Sequence, residues 1–163
     1  MGAFAERAVF TDPDTQPVLD FAGSSERLLV SGPQSGGEFA LADSAAPRGH
    51  TVPRHRHLRA TETLIIMDGQ VLMEVDGDRR TAGPGHVAVL PRRVPHTFVV
   101  VSATARYLIL HTPAGFDDFI HDVSAAARTG HRLDRPALTE LAGQHGIEIL
   151  GPGLSLPSGP NGG

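Results

Sequence analysis

The stretch Gly49-His-Thr-Val-Pro-Arg-His55-Arg-His57-Leu-Arg-Ala-Thr-Glu62, with Gly69 seven residues further on, decides how this chain is read. His55 and His57 are two residues apart, so in an extended strand both imidazoles leave the same face. Glu62 comes five residues later, past a turn and at the start of the next apolar run. His96 opens a later run, after Pro91 and Pro95. Three imidazoles and a carboxylate converging inside a barrel would hold one divalent ion and leave positions open for water, O₂ or substrate.

The composition agrees with such a site and removes several others. At 163 residues, with 40% hydrophobic and 20% charged positions, the chain has enough apolar material for one globular domain. Cysteine is absent while histidine occurs nine times. Thiolate zinc sites, iron–sulfur clusters, disulfides and cysteine nucleophiles are therefore excluded, and Fe, Mn, Ni, Co, Cu or Zn on imidazole and carboxylate ligands remain. A net charge of −4 is not the footprint of a nucleic-acid binder. All 14 basic residues are arginine, so no lysine amine is present for Schiff-base chemistry. The start lacks a basic segment followed by an apolar one, and no apolar run approaches the ~18 residues of a membrane span. The expectation is a cytoplasmic protein with no membrane partner.

Gly and Pro fall between short apolar runs, which predicts many strands and tight turns. Candidate strands are Arg27–Ser31, Glu38–Ala42, Gly49–His57, Glu62–Met67, Gln70–Val75, His86–Leu90, His96–Ser102 and Arg106–Thr112. Asp68-Gly69 and Asp76-Gly77 each sit between two runs, the signature of a hairpin with a primed turn. After Pro113 the period changes. Phe116, Phe119, Ile120 and Val123 fall on one helical face, and a second short helix follows Asp134, with Pro136 in its first turn and Gly146 after its end. The expected organisation is a barrel with an N-terminal strand arm over 1–113, a helical cap over 114–150, and a flexible Gly/Pro tail over 151–163.

The first stretch resembles the first motif of the cupin family at every defined position: Gly49, His55, His57, Glu62 and Gly69. The second cupin motif is matched by Gly85, Pro91 and His96. It departs where Arg93 replaces a glycine, which bears on the turn into His96, and where Val100 replaces an asparagine. The resemblance implies an all-β fold, the cupin double-stranded β-helix or jelly-roll barrel, here with two short C-terminal helices. It also implies that His55, His57, Glu62 and His96 are the metal ligands. The segment His111-Thr-Pro-Ala-Gly-Phe116, with the later Gly146-Ile-Glu-Ile-Leu-Gly-Pro152, is similar to the quercetin 2,3-dioxygenase-like single-domain cupins.

Strand parity predicts the pocket lining. If Glu62 and His96 point inward, so do Ile66 and Phe98, and Phe39, Leu41 and Met73 lie on the apolar faces of their strands. His111 ends a core strand near the barrel mouth and is the remaining histidine of interest. Such a pocket takes an apolar or aromatic small molecule. The resemblance implies a metal-dependent dioxygenase that opens a ring of a flavonol- or polyketide-like enol or phenol with O₂, with Glu62 as ligand and base. The alternatives are a non-redox cyclase, isomerase or lyase, and a binding module without turnover. Strands apolar on both faces, around Ile65 and Val99, need cover that the helices do not fully give. A homodimer is expected to supply it.

Overall fold

The computed structural model describes residues 8–130 and 133–158; His131 and the last five residues of the tail lie outside the described residues. Two antiparallel sheets face one another. The strands are β1 (Leu19–Phe21), β2 (Ser24–Val30), β3 (Ala40–Pro47), β4 (Arg54–His57), β5 (Thr61–Asp68), β6 (Val71–Val75), β7 (Asp78–Ala82), β8 (Val87–Leu90), β9 (His96–Val100), β10 (Thr104–Thr112) and β11 (Ile147–Gly151). The six-stranded sheet runs β1-β2-β3-β10-β5-β8 and the five-stranded sheet runs β11-β4-β9-β6-β7. The barrel core between them is built from alternate residues of each strand, among them Leu64, Ile66, Val71, Met73, Phe98 and Tyr107. A single face per strand is buried because side chains alternate with period two.

Helix α1 (Phe116–Arg128) packs on β1 and β3, and α2 (Arg135–Gln144) packs on β11. Asp117, buried in the first turn of α1, accepts from the Gly32 N–H at 2.7 Å and the Gly115 N–H at 3.0 Å, which fixes the helix start against the loop after β2. Asp134 caps α2 by accepting from the Ala137 N–H at 2.9 Å.

Three features differ from the expectations. First, β5 and β6 are not a hairpin, because they belong to different sheets. Gly69, with φ +74°, turns the corner between them; a side chain there would strike the Thr104 carbonyl oxygen and sit 2.8 Å from the Ala105 Cα. Asp76-Gly77, with φ of +49° and +91°, is the primed turn between β6 and β7. Second, Ala40, Ala42, Ser44 and Ala46 form the buried face of β3, which leaves Phe39 and Leu41 off it. Small residues face inward here because Ile120 of α1 and Leu19 pack onto Ala42. Third, residues 147–151 form a strand. Ile147 pairs with His57 and Ile149 with His55, so β11 extends the sheet that carries both histidines. The tail then stays close, for Gly153 lies against Thr51 and Val52.

Candidate metal centre

His55 and His57 project from β4, Glu62 from the second residue of β5, and His96 from the first residue of β9. His55 is the register partner of His96, which places their imidazoles side by side with ring centroids 4.4 Å apart. One ligand atom from each of the four residues lies within 4.8 Å of all the others. The cluster surrounds Glu62 Oε2, with Nε2 of His57 at 2.9 Å, of His96 at 3.1 Å and of His55 at 4.0 Å. His57, Glu62 and His96 are buried.

The backbone sets the tautomers of two of the imidazoles. His55 Nδ1 donates to the Pro53 carbonyl at 2.7 Å and His96 Nδ1 to the Val94 carbonyl at 2.9 Å. In the neutral rings each Nε2 then carries a lone pair directed toward the Glu62 carboxylate. Acceptors facing an acceptor in a buried site repel one another unless a cation lies among them. The donor set, three imidazole nitrogens and a carboxylate oxygen, thus fits a divalent transition ion. With no cation between them, protonated rings act as donors to the carboxylate instead, and the Glu62 contact accordingly favours the charged form of His96 against its burial. Burial opposes ionisation of Glu62, but the imidazoles of His111, His57 and His96 outweigh it and hold the carboxyl well below its usual range. Burial, with His96 beside it, pushes the His55 pKa down to about 3, which keeps that ring neutral and able to coordinate.

Arg93 retains the turn that the missing glycine would have made. Its φ is +70° and its N–H donates to the His57 carbonyl at 2.7 Å. A left-handed arginine costs about 1 kcal/mol, and here that cost ties the loop before His96 to the ligand strand.

A cavity opens from this cluster toward the helices. Phe98, Tyr107 and Ile109 wall it from the barrel, Phe116, Phe119 and Leu138 roof it from the helices, and His55 and Glu62 lie at its polar end. Of the pocket residues expected from parity, Phe98 lines the cavity. Ile66 and Met73 fill the core below it instead, and Phe39 and Leu41 are outside because β3 has the opposite facing. His111 lies on β10 opposite Glu62, fully enclosed, and its ring stacks on Phe116 at 4.0 Å. Its Nε2 stands 3.6 Å from Glu62 Oε2 and has no hydrogen-bond partner among the described residues.

The cupin domain model matches residues 44–111, a span that contains all four candidate ligands. The barrel has the cupin jelly-roll fold. Quercetin 2,3-dioxygenase from Bacillus subtilis (strain 168) is 26% identical to this chain over 93 residues, which is 57% of the chain and only 28% of that relative's length. KdgF from a Halomonas species has the same fold, with a TM-score of 0.62 at 20% identity over 68% of this chain and 99% of its own. The polyketide cyclase RemF from Streptomyces resistomycificus gives 0.58 at 19% over 65% and 80%. The structural likenesses establish the architecture, and the chemistry of this chain has to be argued from its own side chains.

The sequence reading passed over Glu26 and Tyr107, which both line the cavity. Glu26 is 1% exposed, and its carboxylate accepts from Ser24 Oγ at 2.7 Å and from Ser44 Oγ. Burial pushes its pKa up to about 7. The native state therefore keeps a proton that the unfolded chain releases above about 4.5. Stability contributed by Glu26 is complete below that value and falls as pH rises to about 7, at about 1.4 kcal/mol per pH unit. Urea denaturation of the Glu26→Gln chain is expected to show a flatter stability profile across that window, by up to about 3 kcal/mol. Identical profiles for the two chains would refute a protonated native Glu26.

Proposed function

We propose that this chain is a metal-dependent dioxygenase acting on an apolar enol or phenol of the flavonol or polyketide-like class. The observation that carries the reading is the continuity between an aromatic-walled cavity and a cluster of three histidines and a glutamate at its end. The match to a quercetin 2,3-dioxygenase supports it. A divalent ion held by His55, His57, Glu62 and His96 supplies Lewis acidity toward the substrate oxygen and, when redox-active, a route for electrons to O₂.

The chain's own groups do the rest. Glu62, held ionised, takes the proton from the substrate hydroxyl through its carboxylate. Of the three ligand imidazoles, His57 stands nearest the carboxylate, with Nε2 at 2.9 Å from Glu62 Oε2. His55 and His96 are kept in coordinating orientation by the Pro53 and Val94 carbonyls. Phe98, Phe116 and Phe119 flank the ring system and exclude water from it. His111, stacked on Phe116 with its Nε2 3.6 Å from Glu62 Oε2, closes the cluster on the β10 side.

The test is oxygen consumption by the purified chain loaded in turn with Fe, Mn, Ni or Co, with 3-hydroxyflavone as substrate. Uptake is expected with at least one ion, and Glu62→Gln is expected to lower kcat at least ~100-fold without emptying the site. Absence of uptake with every ion sinks the dioxygenase reading. Turnover that persists under anaerobic conditions with Zn moves the protein to the cyclase, isomerase or lyase class.

We also propose a homodimer formed through β8. Val87 and Val89 are 59% and 61% exposed on this edge strand of the six-stranded sheet. Light scattering should give twice the 17.2 kDa chain mass, and Val89→Arg should halve it. A native chain of single mass refutes the dimer.

A further inference from the structure

Glu26 is a buried carboxyl group that the proposed chemistry does not use. It belongs to a row of polar side chains on the inner face of the six-stranded sheet: Glu26 on β2 is in register with Ser44 on β3, which is in register with Tyr107 on β10. The exposures of the three are 1%, 0% and 1%. Burying so much polar surface against an apolar cavity is costly unless its hydrogen-bonding capacity is used. Part of that capacity is used within the row, since Ser24 and Ser44 donate to the Glu26 carboxylate.

The remainder faces the cavity. The Tyr107 hydroxyl makes no hydrogen bond among the described residues, yet it is not among the fully enclosed atoms that lack a partner. It is therefore reached from the cavity that its side chain lines. When Glu26 carries its proton, Ser24 Oγ at 2.7 Å can accept it while donating its own to the Phe21 carbonyl at 2.9 Å, and the lone pairs of the carboxyl not used by the serines are left for a donor in the cavity.

The row lies at a defined distance from the metal centre. Tyr107 and His111 are four residues apart on β10, and His111 is the register partner of Glu62. At ~3.4 Å per residue the two polar rows are about 14 Å apart along the strands. The intervening inward residues, Ile109 and its register partners Leu64 and Ala42, are apolar. The cavity thus has two polar poles separated by an apolar middle.

We propose that Glu26 and Tyr107 form a second subsite, which hydrogen-bonds a hydroxyl or carbonyl at the far end of an elongated aromatic substrate whose near end reaches the metal centre. The substrate class is a linked or fused polyphenol with oxygen functions at both ends. This rests on the reading of the cavity as the substrate site. Tyr107 donates to the distal oxygen, and Glu26 accepts from a hydroxyl or, when protonated, donates to a carbonyl.

Equilibrium binding separates this subsite from the proposed oxygen chemistry. The metal-loaded full chain is titrated with 3-hydroxyflavone and with 3,4′-dihydroxyflavone, which share the metal-binding end and differ only in the distal hydroxyl. The native chain should bind the second about tenfold more tightly. Tyr107→Phe and Glu26→Gln should each bring that ratio to within about threefold, with metal stoichiometry unchanged. Equal binding of the two flavonols by the native chain, binding of neither, or a ratio that survives both substitutions overturns the subsite. A distal preference without oxygen uptake keeps the subsite and discards the dioxygenase. Uptake without a distal preference does the reverse.

Discussion

A divalent transition ion at about a thousandfold excess over its dissociation constant will raise the melting temperature by roughly 10 °C, and His96→Ala will abolish most of that rise. The magnitude follows from mass action. Binding to the native state alone at that excess adds about 4 kcal/mol, and each kcal/mol is worth about 2–4 °C in a domain of this size. His96 is the sensitive position because it alone comes from the second motif and from β9, and its register with His55 closes the cluster. Removing it leaves three ligand side chains and breaks the link between the two strands at the centre. His121→Ala, on the exposed face of α1, is the control and should keep the full shift. Thermal scans with Fe, Mn, Ni, Co, Cu and Zn decide the matter. A native chain that responds to none of them, or a His96→Ala chain that responds as the native does, would falsify the metal centre.

Gly69→Ala is expected to cost more than about 3 kcal/mol, enough to unfold a marginal domain. Two effects add. The φ of +74° is unfavourable for any residue with a Cβ, and the new methyl would run into the Thr104 carbonyl and the Ala105 backbone. Neither is a flexible side chain that can swing away, because β10 is the central strand paired to both β3 and β5. Gly77→Ala separates the two effects. Its φ is +91°, but nothing lies within 4 Å of a methyl there, so its cost should be about 1 kcal/mol. Urea denaturation of the two variants measures the difference, and equal destabilisation would show that the crowding at Gly69 is relieved by movement.

The four clustered residues were legible because their spacing is a local signal. His-x-His on one strand face and a glutamate across a short turn bring three groups together whatever the rest of the chain does. The strands that escaped notice lack that kind of signal. Four of the five residues of β7 are exposed, so its Asp-Arg-Arg-Thr carries no apolar alternation. In β11, Ile147-Glu-Ile149 does alternate, but it follows a helix and is too short to reveal its partner 90 positions earlier. The facing of β3 was misread for a different reason. Large side chains normally mark the inner face, whereas here alanines do, because α1 fills the end of the barrel. Glu26 was hidden by the same kind of long-range effect. Nothing in Ser24-Ser-Glu26-Arg says that Ser24 and the carboxyl lie inside, and only the pairing with β3 and β10 shows it.

The pairing of β11 with β4 also has a consequence in time. The strand that carries His55 and His57 finds its edge partner only when Ile147–Gly151 has been synthesised and has left the ribosome. Until then β4 is held by its single register pair with β9. The order of the two histidines on β4 thus depends on a strand about 90 positions further along the chain, and folding of the candidate site waits on that non-local pairing.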